Sequence, residues 1–441
     1  MNRLSFTLLS CGLAALGSGC GAGETPPTEP PPPPPIDQQL RQSMSNAGVI
    51  PIGAMPAQDP ALVELGRSLF FDPVLSGNRD VACATCHNPL THAADGLSLA
   101  IGTGGIGSGP SRTLGAGRQF IPRRAPSLLN KGLGLTYLFW DARLSRFGPG
   151  APVGVNPVFP PGLTDILEKQ AMLPVLNRAE MRGDAGDVDV LGSPNELAAF
   201  ADSESTQVWR AIMLRLRGIP EYLAKFNAAF PNISSDQLGF QQAAQAIAAF
   251  EKQAFTATNS PLDRYLGRDD AALTAAQKQG ALLFFGKGGS FANVGAPQVG
   301  PGTGSGRPLD FGVGDVFGQS PYRFAFRVAP LRNVELTAPY MHNGAFPTLE
   351  AVVRHYNDAT KDLRGYDVTL LPPALRASYH GDDLTIGAIL GRLDFRLKTP
   401  LDLTDGEQAS LVAFLKSLTD PAAADLRSII PSRVPSGLPV P

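Results

Sequence analysis

Apolar side chains recur along this chain at three- and four-residue intervals, the pattern of helices that bury one face. Leu62, Leu65 and Leu69 mark one such run, ending in Gly66-Arg67-Ser68-Leu69-Phe70-Phe71-Asp72. Another begins near Leu273 and ends in Gly280-Ala281-Leu282-Leu283-Phe284-Phe285-Gly286, so one short pattern occurs twice, each time as the opening helix of a segment. A helical run through Ala243, Ile247 and Phe250 leads to the turn-rich Thr258-Asn259-Ser260-Pro261, the expected join between the two segments. After Leu403, Thr404 and Glu407 make a capping-box pattern ahead of Leu411, Phe414, Leu415 and Leu418, which predicts a closing amphipathic helix. Few stretches alternate with period two. The expected class is mainly α with long irregular loops.

Composition sharpens this. Glycine and proline number 48 and 41 in 441 residues, which favours plentiful loops, while 43% hydrophobic residues exclude disorder throughout. The length suffices for two domains, expected at 51–260 and 261–441. With 39 acidic and 37 basic residues the net charge is −2, so no single-sign field recruits nucleic acid or an anionic membrane. Arg3 followed by Leu4, Phe6, Leu8, Leu9, Leu13 and Leu16 reads as an export signal over 1–20, too short to span a bilayer as a mature helix. Leu16-Gly17-Ser18-Gly19-Cys20 resembles a bacterial lipoprotein box, which implies a membrane tether through a lipidated Cys20. Residues 21–50 read as a proline-rich linker, with Pro26 to Pro35, six consecutive prolines at its end, a semi-rigid spacer. The expected location is the periplasm or cell envelope.

Four cysteines occur, Cys11, Cys20, Cys83 and Cys86, and none follows Cys86. Cys83-Ala84-Thr85-Cys86-His87 is the C-x-x-C-H attachment pattern of c-type haem: two thiols add to the porphyrin vinyl groups and the adjacent histidine becomes the proximal iron ligand. A thioredoxin-like dithiol would want a βαβ context, and a zinc site two more ligands. Of the five histidines, His92 lies just past His87, and the next is His342. The position opposite His87 is therefore expected to be open, unless a methionine such as Met172 or Met181 closes it.

Several motifs occur in one order: the run from Leu65 through the attachment pattern, Ala125-Pro126-Ser127-Leu128-Leu129-Asn130, Phe139-Trp140-Asp141-Ala142-Arg143, and Leu331-Arg332-Asn333 through His342-Asn343-Gly344. Over about residues 50 to 420 the chain resembles the bacterial di-haem cytochrome c peroxidase and MauG family. That resemblance implies two cytochrome c-like domains, each with one attached haem, the N-terminal haem reacting with hydrogen peroxide and the C-terminal haem relaying electrons. It implies Gln170 and Glu180 in the distal pocket, Gln170 orienting peroxide and Glu180 moving a proton to the departing oxygen. It also implies that Trp140 resembles the tryptophan between the two haems, and that a small donor protein of cytochrome c or cupredoxin type supplies electrons.

The chain departs from this pattern after Lys287. Gly288-Gly289-Ser290-Phe291-Ala292-Asn293 stands where the family has its second attachment motif, so one covalently bound haem c is expected. Tyr356 falls where MauG-type members supply a ligand to the second haem. Arg124 replaces the asparagine of the inter-haem calcium site, and Arg327-Val328-Ala329-Pro330 also differs, so the resemblance does not carry calcium over to this chain. The expected function is a peroxidase-like oxidoreductase that reduces hydrogen peroxide at a single N-terminal haem with electrons from an external donor. The alternatives are a non-catalytic electron-transfer or ligand-sensing haem protein, or a MauG-like oxidase of a partner protein. Gly102-Thr103-Gly104-Gly105-Ile106-Gly107 matches G-x-G-x-x-G without a preceding strand and reads as a mobile loop, not a dinucleotide site. Gly300 to Gly306 lacks the ending of a phosphate loop. Asp184, Asp187 and Asp189 read as a solvated loop, and His342, His355 and His380 as structural.

Overall fold

The computed structural model describes residues 34–146, 158–285, 291–303, 307–318 and 320–441. The expected export signal, Cys20 and most of the proline run lie outside them, as does the stretch 286–290.

The first half contains α1 (Ile36–Asn46), α2 (Pro60–Phe71), α3 (Cys83–Cys86), α4 (Ile166–Ala171), α5 (Ser205–Arg217), α6 (Pro220–Ala229) and α7 (Phe240–Ala254). The second contains α8 (Pro261–Leu266), α9 (Ala275–Phe284), α10 (Val313–Phe317), α11 (Leu349–Asn357), α12 (Ala359–Arg364), α13 (Pro373–Arg376), α14 (Asp383–Leu390) and α15 (Asp405–Lys416). Two short antiparallel pairs, β1 (Tyr137–Leu138) with β2 (Leu144–Ser145) and β3 (Phe291–Ala292) with β4 (Phe326–Arg327), are the named strands among the described residues. The protein is mainly α. Loops dominate between α3 and α4, in keeping with the glycine and proline content.

Both repeated sequence patterns are helix crossings. In α2, a Cβ on Gly66 would lie 1.9 Å from the Ala246 carbonyl oxygen of α7; in α9, one on Gly280 would lie 1.9 Å from that of Ser410 in α15. Glycine is needed because any side chain would hold these helices apart. Four residues beyond each contact stands a phenylalanine, Phe250 or Phe414, whose ring meets Phe70 at 5.2 Å in one case and Phe284 at 5.3 Å in the other. Thr404 and Glu407 form the expected capping box on α15.

Two apolar cores grow around these crossings. One gathers Leu65, Leu69, Phe70 and Phe71 with Ile247 and Phe250; the other gathers Tyr265, Ala281, Phe346 and Phe414. Two details differ from the sequence expectation. Residues 36–46, counted with the linker, form a helix because Leu40 and Met44, one turn apart, reach into the second core. The C-terminal tail, counted with the second segment, returns to the first core through Ala423, Leu426 and Val434, and Ser436 bonds Asp72 with both its hydroxyl (2.6 Å) and backbone N–H (3.2 Å).

Candidate functional site

The attachment pattern folds as one helical turn. The spacing of three puts both thiols on one face of α3, and the His87 N–H closes the turn on the Cys83 carbonyl at 2.9 Å. The Thr85 hydroxyl accepts from the Ala82 N–H at 3.0 Å and fixes the start of the turn. Both cysteines are free thiols. Burial pushes Cys83 up to about 12 and Cys86 higher still, so both are protonated. His87 is pushed down to about 4 by burial and is neutral. Its Nδ1 lies 3.3 Å from the Ala93 carbonyl, which can only accept. The proton therefore sits on Nδ1, and Nε2 keeps a lone pair for a metal.

Across from this turn, α4 and α7 pack together and carry the opposite wall. A cavity of about 530 Å³, counting the space open at its mouth, is lined by Cys83, Cys86, His87, Gln170, Glu180 and Glu251. Leu75, Val81, Val175, Met181 and Ile247 make the wall largely apolar. The set fits haem c: two adjacent thiols, a neutral imidazole with a free nitrogen, and apolar walls for the porphyrin faces. Of the two methionines weighed as a second axial ligand, Met181 reaches the cavity lining, whereas Met172 is buried in the first core.

Glu180 sits on a π-helical turn, Arg178–Arg182. The sequence alone leaves open a solvated helix residue; the structure instead makes Glu180 half-buried on the cavity wall, where desolvation pushes its carboxyl up to about 7. The turn is clamped on several sides. The Glu180 N–H donates to Asn177 Oδ1 at 3.1 Å, the Glu180 carbonyl accepts from Thr103 N–H at 3.0 Å, and the Met181 carbonyl accepts from Gly77 N–H at 2.7 Å. Buried Arg182 bonds the Leu197 carbonyl at 3.0 Å and Asp202 at 3.0 Å.

This clamp corrects two expectations. The run Gly102 to Gly107, read as mobile, is fastened beneath Glu180: a Cβ on Gly102 would meet the Ala179 and Glu180 carbonyl oxygens at 2.1 and 2.4 Å. Arg112 threads the loop and donates to the carbonyls of Ile101, Gly102 and Gly107. Glycine serves close backbone approach here, not freedom. Nor is the aspartate run simply solvated, since Asp187 pairs with Arg118 at 2.9 Å and buried Asp189 with Arg79.

Trp140 is not among the residues lining the cavity. Its indole N–H donates to the Arg124 carbonyl at 3.1 Å, and its carbonyl accepts from the Arg327 N–H at 2.8 Å. It thus ties the two halves of the chain together. The remaining histidines are engaged elsewhere. His355 uses both nitrogens, on Asp362 at 2.9 Å and the Val294 carbonyl at 2.7 Å; His342 stacks on Phe326 at 3.6 Å; His380 contacts the Gly300 carbonyl at 3.2 Å; His92 contacts that of Ala423 at 3.2 Å. Tyr356 is half-buried, and burial raises its phenol to about 12.

Glu251 escaped the sequence reading. It lies on α7 in register with Ala244 and Ile247, and one carboxyl oxygen, Oε2, has no partner among the described residues. Burial pushes this carboxyl up to about 8. The signal was a lone charge on an apolar stripe. The matched crossings give a comparison: as Phe250 corresponds to Phe414, Glu251 corresponds to Leu415, buried in the second core. A glutamate is therefore not required by the crossing itself.

Residues 60–271 match the family model described as di-haem cytochrome c peroxidase. The methylamine utilization protein MauG of Methylorubrum extorquens is 29% identical over 381 residues, covering 83% of this chain and 81% of that protein. Cytochrome c551 peroxidase of Pseudomonas aeruginosa is 33% identical over 294 residues, covering 64% and 67%. Among solved structures, a MauG-like protein associated with microbial copper homeostasis superposes with a TM-score of 0.55 at 26% identity, over 85% of this chain and 94% of the other. Because these likenesses run through both halves and include the attachment turn, the chain belongs to the di-haem cytochrome c peroxidase and MauG family, an oxidoreductase lineage with covalently bound haem c.

Proposed function

We propose that the chain reduces hydrogen peroxide to water at one haem c attached through Cys83 and Cys86, with electrons from a small external donor protein of cytochrome c or cupredoxin type. The observation that carries this reading is that Gln170 and Glu180 line the same cavity as His87 and the two thiols. A single covalent haem follows from the sequence, because no cysteine is present after Cys86 to attach another. The cytochrome c551 peroxidase among its relatives supports both the oxidant and the type of donor.

Haem c, when bound, would supply redox-active iron and the route by which electrons arrive. The protein supplies the rest. His87 presents Nε2 because its Nδ1 proton is committed to the Ala93 carbonyl. The Gln170 amide has a donor and an acceptor with which to orient peroxide. Glu180, near neutrality in its titration, takes a proton from one peroxide oxygen and returns it to the other, which leaves as water. Two electrons and two further protons complete the reduction of one peroxide to two waters. Apolar walls keep other water out. We further propose export to the cell envelope, where c-type haem would be attached and where a tether at Cys20 would hold the protein.

The test is peroxide consumption by the haem-loaded protein with reduced cytochrome c, beside stopped-flow spectra of the haem band on mixing with peroxide. Glu180→Gln should slow the spectral change and turnover by about a hundredfold or more. A haem band that ignores peroxide, or responds equally in Glu180→Gln, refutes the peroxidase reading in favour of an electron-transfer or sensing protein.

A further inference from the structure

Outside the lining of the haem cavity stand three basic side chains that no carboxylate bonds among the described residues. Their neighbour Arg123 shows what a satisfied buried arginine looks like here: it holds Asp310 with two bonds of 2.7 and 2.8 Å and Asp141 at 2.5 Å. Arg124 is as deeply buried, yet among the described residues its Nη2 alone is bonded, to the Thr337 carbonyl at 2.7 Å, and its Nε has no partner. Arg327, also buried, spends its Nε on the Phe139 carbonyl at 3.0 Å. Lys131 makes no side-chain bond among the described residues.

Lys131 feels the other two. The charges of Arg124 and Arg327 both weigh against that of Lys131, which burial and this repulsion hold down to about 7, and Arg124 is held down to about 10. The Leu128 N–H donates at 3.1 Å to the Ala93 carbonyl, the same carbonyl that meets His87 Nδ1, which places the segment carrying Arg124 and Lys131 beside the haem attachment turn. Trp140 fixes two of the three by bonding the backbones of Arg124 and Arg327. One carboxylate, Asp95, lies in the field of Arg124, but it forms no ion pair with it and its Oδ2 is without a partner. Buried like charges without bonded counter-ions are costly, and an incoming anion removes that cost.

We propose that Arg124, Lys131 and Arg327 form a carboxylate-binding site that receives the propionates of the attached haem, in place of any divalent cation. This rests on the haem c reading above. A calcium ion takes six or more oxygen ligands. The three side chains offer only N–H donors, which repel a cation and suit a carboxylate.

The experiment starts from haem-loaded protein whose haem content is fixed by pyridine haemochrome; no haem in the wild-type protein would overturn both readings together. Lys131→Met and Arg124→Met are then compared by midpoint potential and by the propionate bending band in resonance Raman. Lys131→Met breaks no bond within the protein, so it keeps the test alive if Arg124→Met folds poorly. With haem content unchanged, each variant should shift the ferric/ferrous equilibrium about tenfold toward ferric and move the Raman band, whereas Lys131→Arg, which keeps the charge, should leave both as in wild type. An unchanged potential and band would overturn the proposal while leaving the haem reading intact. Calcium and inorganic phosphate are titrated separately, and neither should alter the spectrum or melting temperature of the wild-type protein. A response to calcium means a cation site, and a phosphate response lost in Arg124→Met means a site for free anions; either overturns the proposal.

Discussion

Replacing Glu251 by glutamine tests whether a buried carboxyl with an unpartnered oxygen faces the haem cavity. The wild-type carboxyl is raised from an ordinary 4.5 to about 8 by burial. A raised carboxyl pKa means the folded state binds the proton more tightly than the unfolded chain. Its stabilisation is complete below pH 4.5 and is lost as pH rises through 8. At 1.36 kcal/mol per pH unit the full effect is about 5 kcal/mol, of which about 3 kcal/mol falls between about pH 5 and about pH 7. Glutamine keeps the volume and cannot titrate. Urea unfolding of haem-loaded wild-type and Glu251→Gln proteins, followed by far-ultraviolet circular dichroism, gives the difference directly, and the contribution of Glu180 cancels because both proteins carry it. The stability of wild type relative to the variant should fall steadily over that range. A difference constant to within about 0.5 kcal/mol would mean that the carboxyl is hydrated in the holoprotein and that the argument from burial fails. Glu251→Leu, which copies Leu415 of the second crossing, should remove the same slope and leave the protein more stable than wild type at neutral pH.

Other consequences are as concrete. Peroxide turnover should rise as pH passes through about 7, because Glu180 accepts a proton only as carboxylate; a pH–rate profile that keeps this limb in Glu180→Gln would assign it elsewhere. Cys83→Ser and Cys86→Ser should each lose one thioether, seen as a shifted pyridine haemochrome band, and the double variant should release its haem to acidified butanone. Gly66→Ala and Gly280→Ala should each cost about 1–3 kcal/mol by forcing a crossing apart, read as a lower melting temperature. Asp72→Asn should loosen the C-terminal tail and sensitise residues near Ser436 to protease, since that carboxylate also takes the Tyr222 hydroxyl at 2.7 Å.

The attachment turn was legible in the sequence because its chemistry is contiguous: Cys83, Cys86 and His87 fall on one turn wherever that turn is placed. The helix crossings were legible for a similar reason, since Gly66 and Gly280 head the same local pattern. Gln170 and Glu180 entered only through resemblance, because residues that meet across a cavity carry no spacing rule when they stand on separate elements. Glu251 left a trace, a charge on an apolar stripe, but a stripe does not say which cavity it faces.

Local periodicity and one covalent motif therefore determined the fold class, the repeated crossings and the place of the haem. Tertiary structure decided what the loops do. It turned the glycine run after Ile101 from a free loop into the seat of Glu180, because backbone carbonyls approach there too closely for a side chain. It also gathered Arg124 and Lys131 with Arg327, whose unmet charge arises from two distant chain segments brought together with no bonded carboxylate among the described residues. Charge balance at a site is a property of distances, and a sequence records only order.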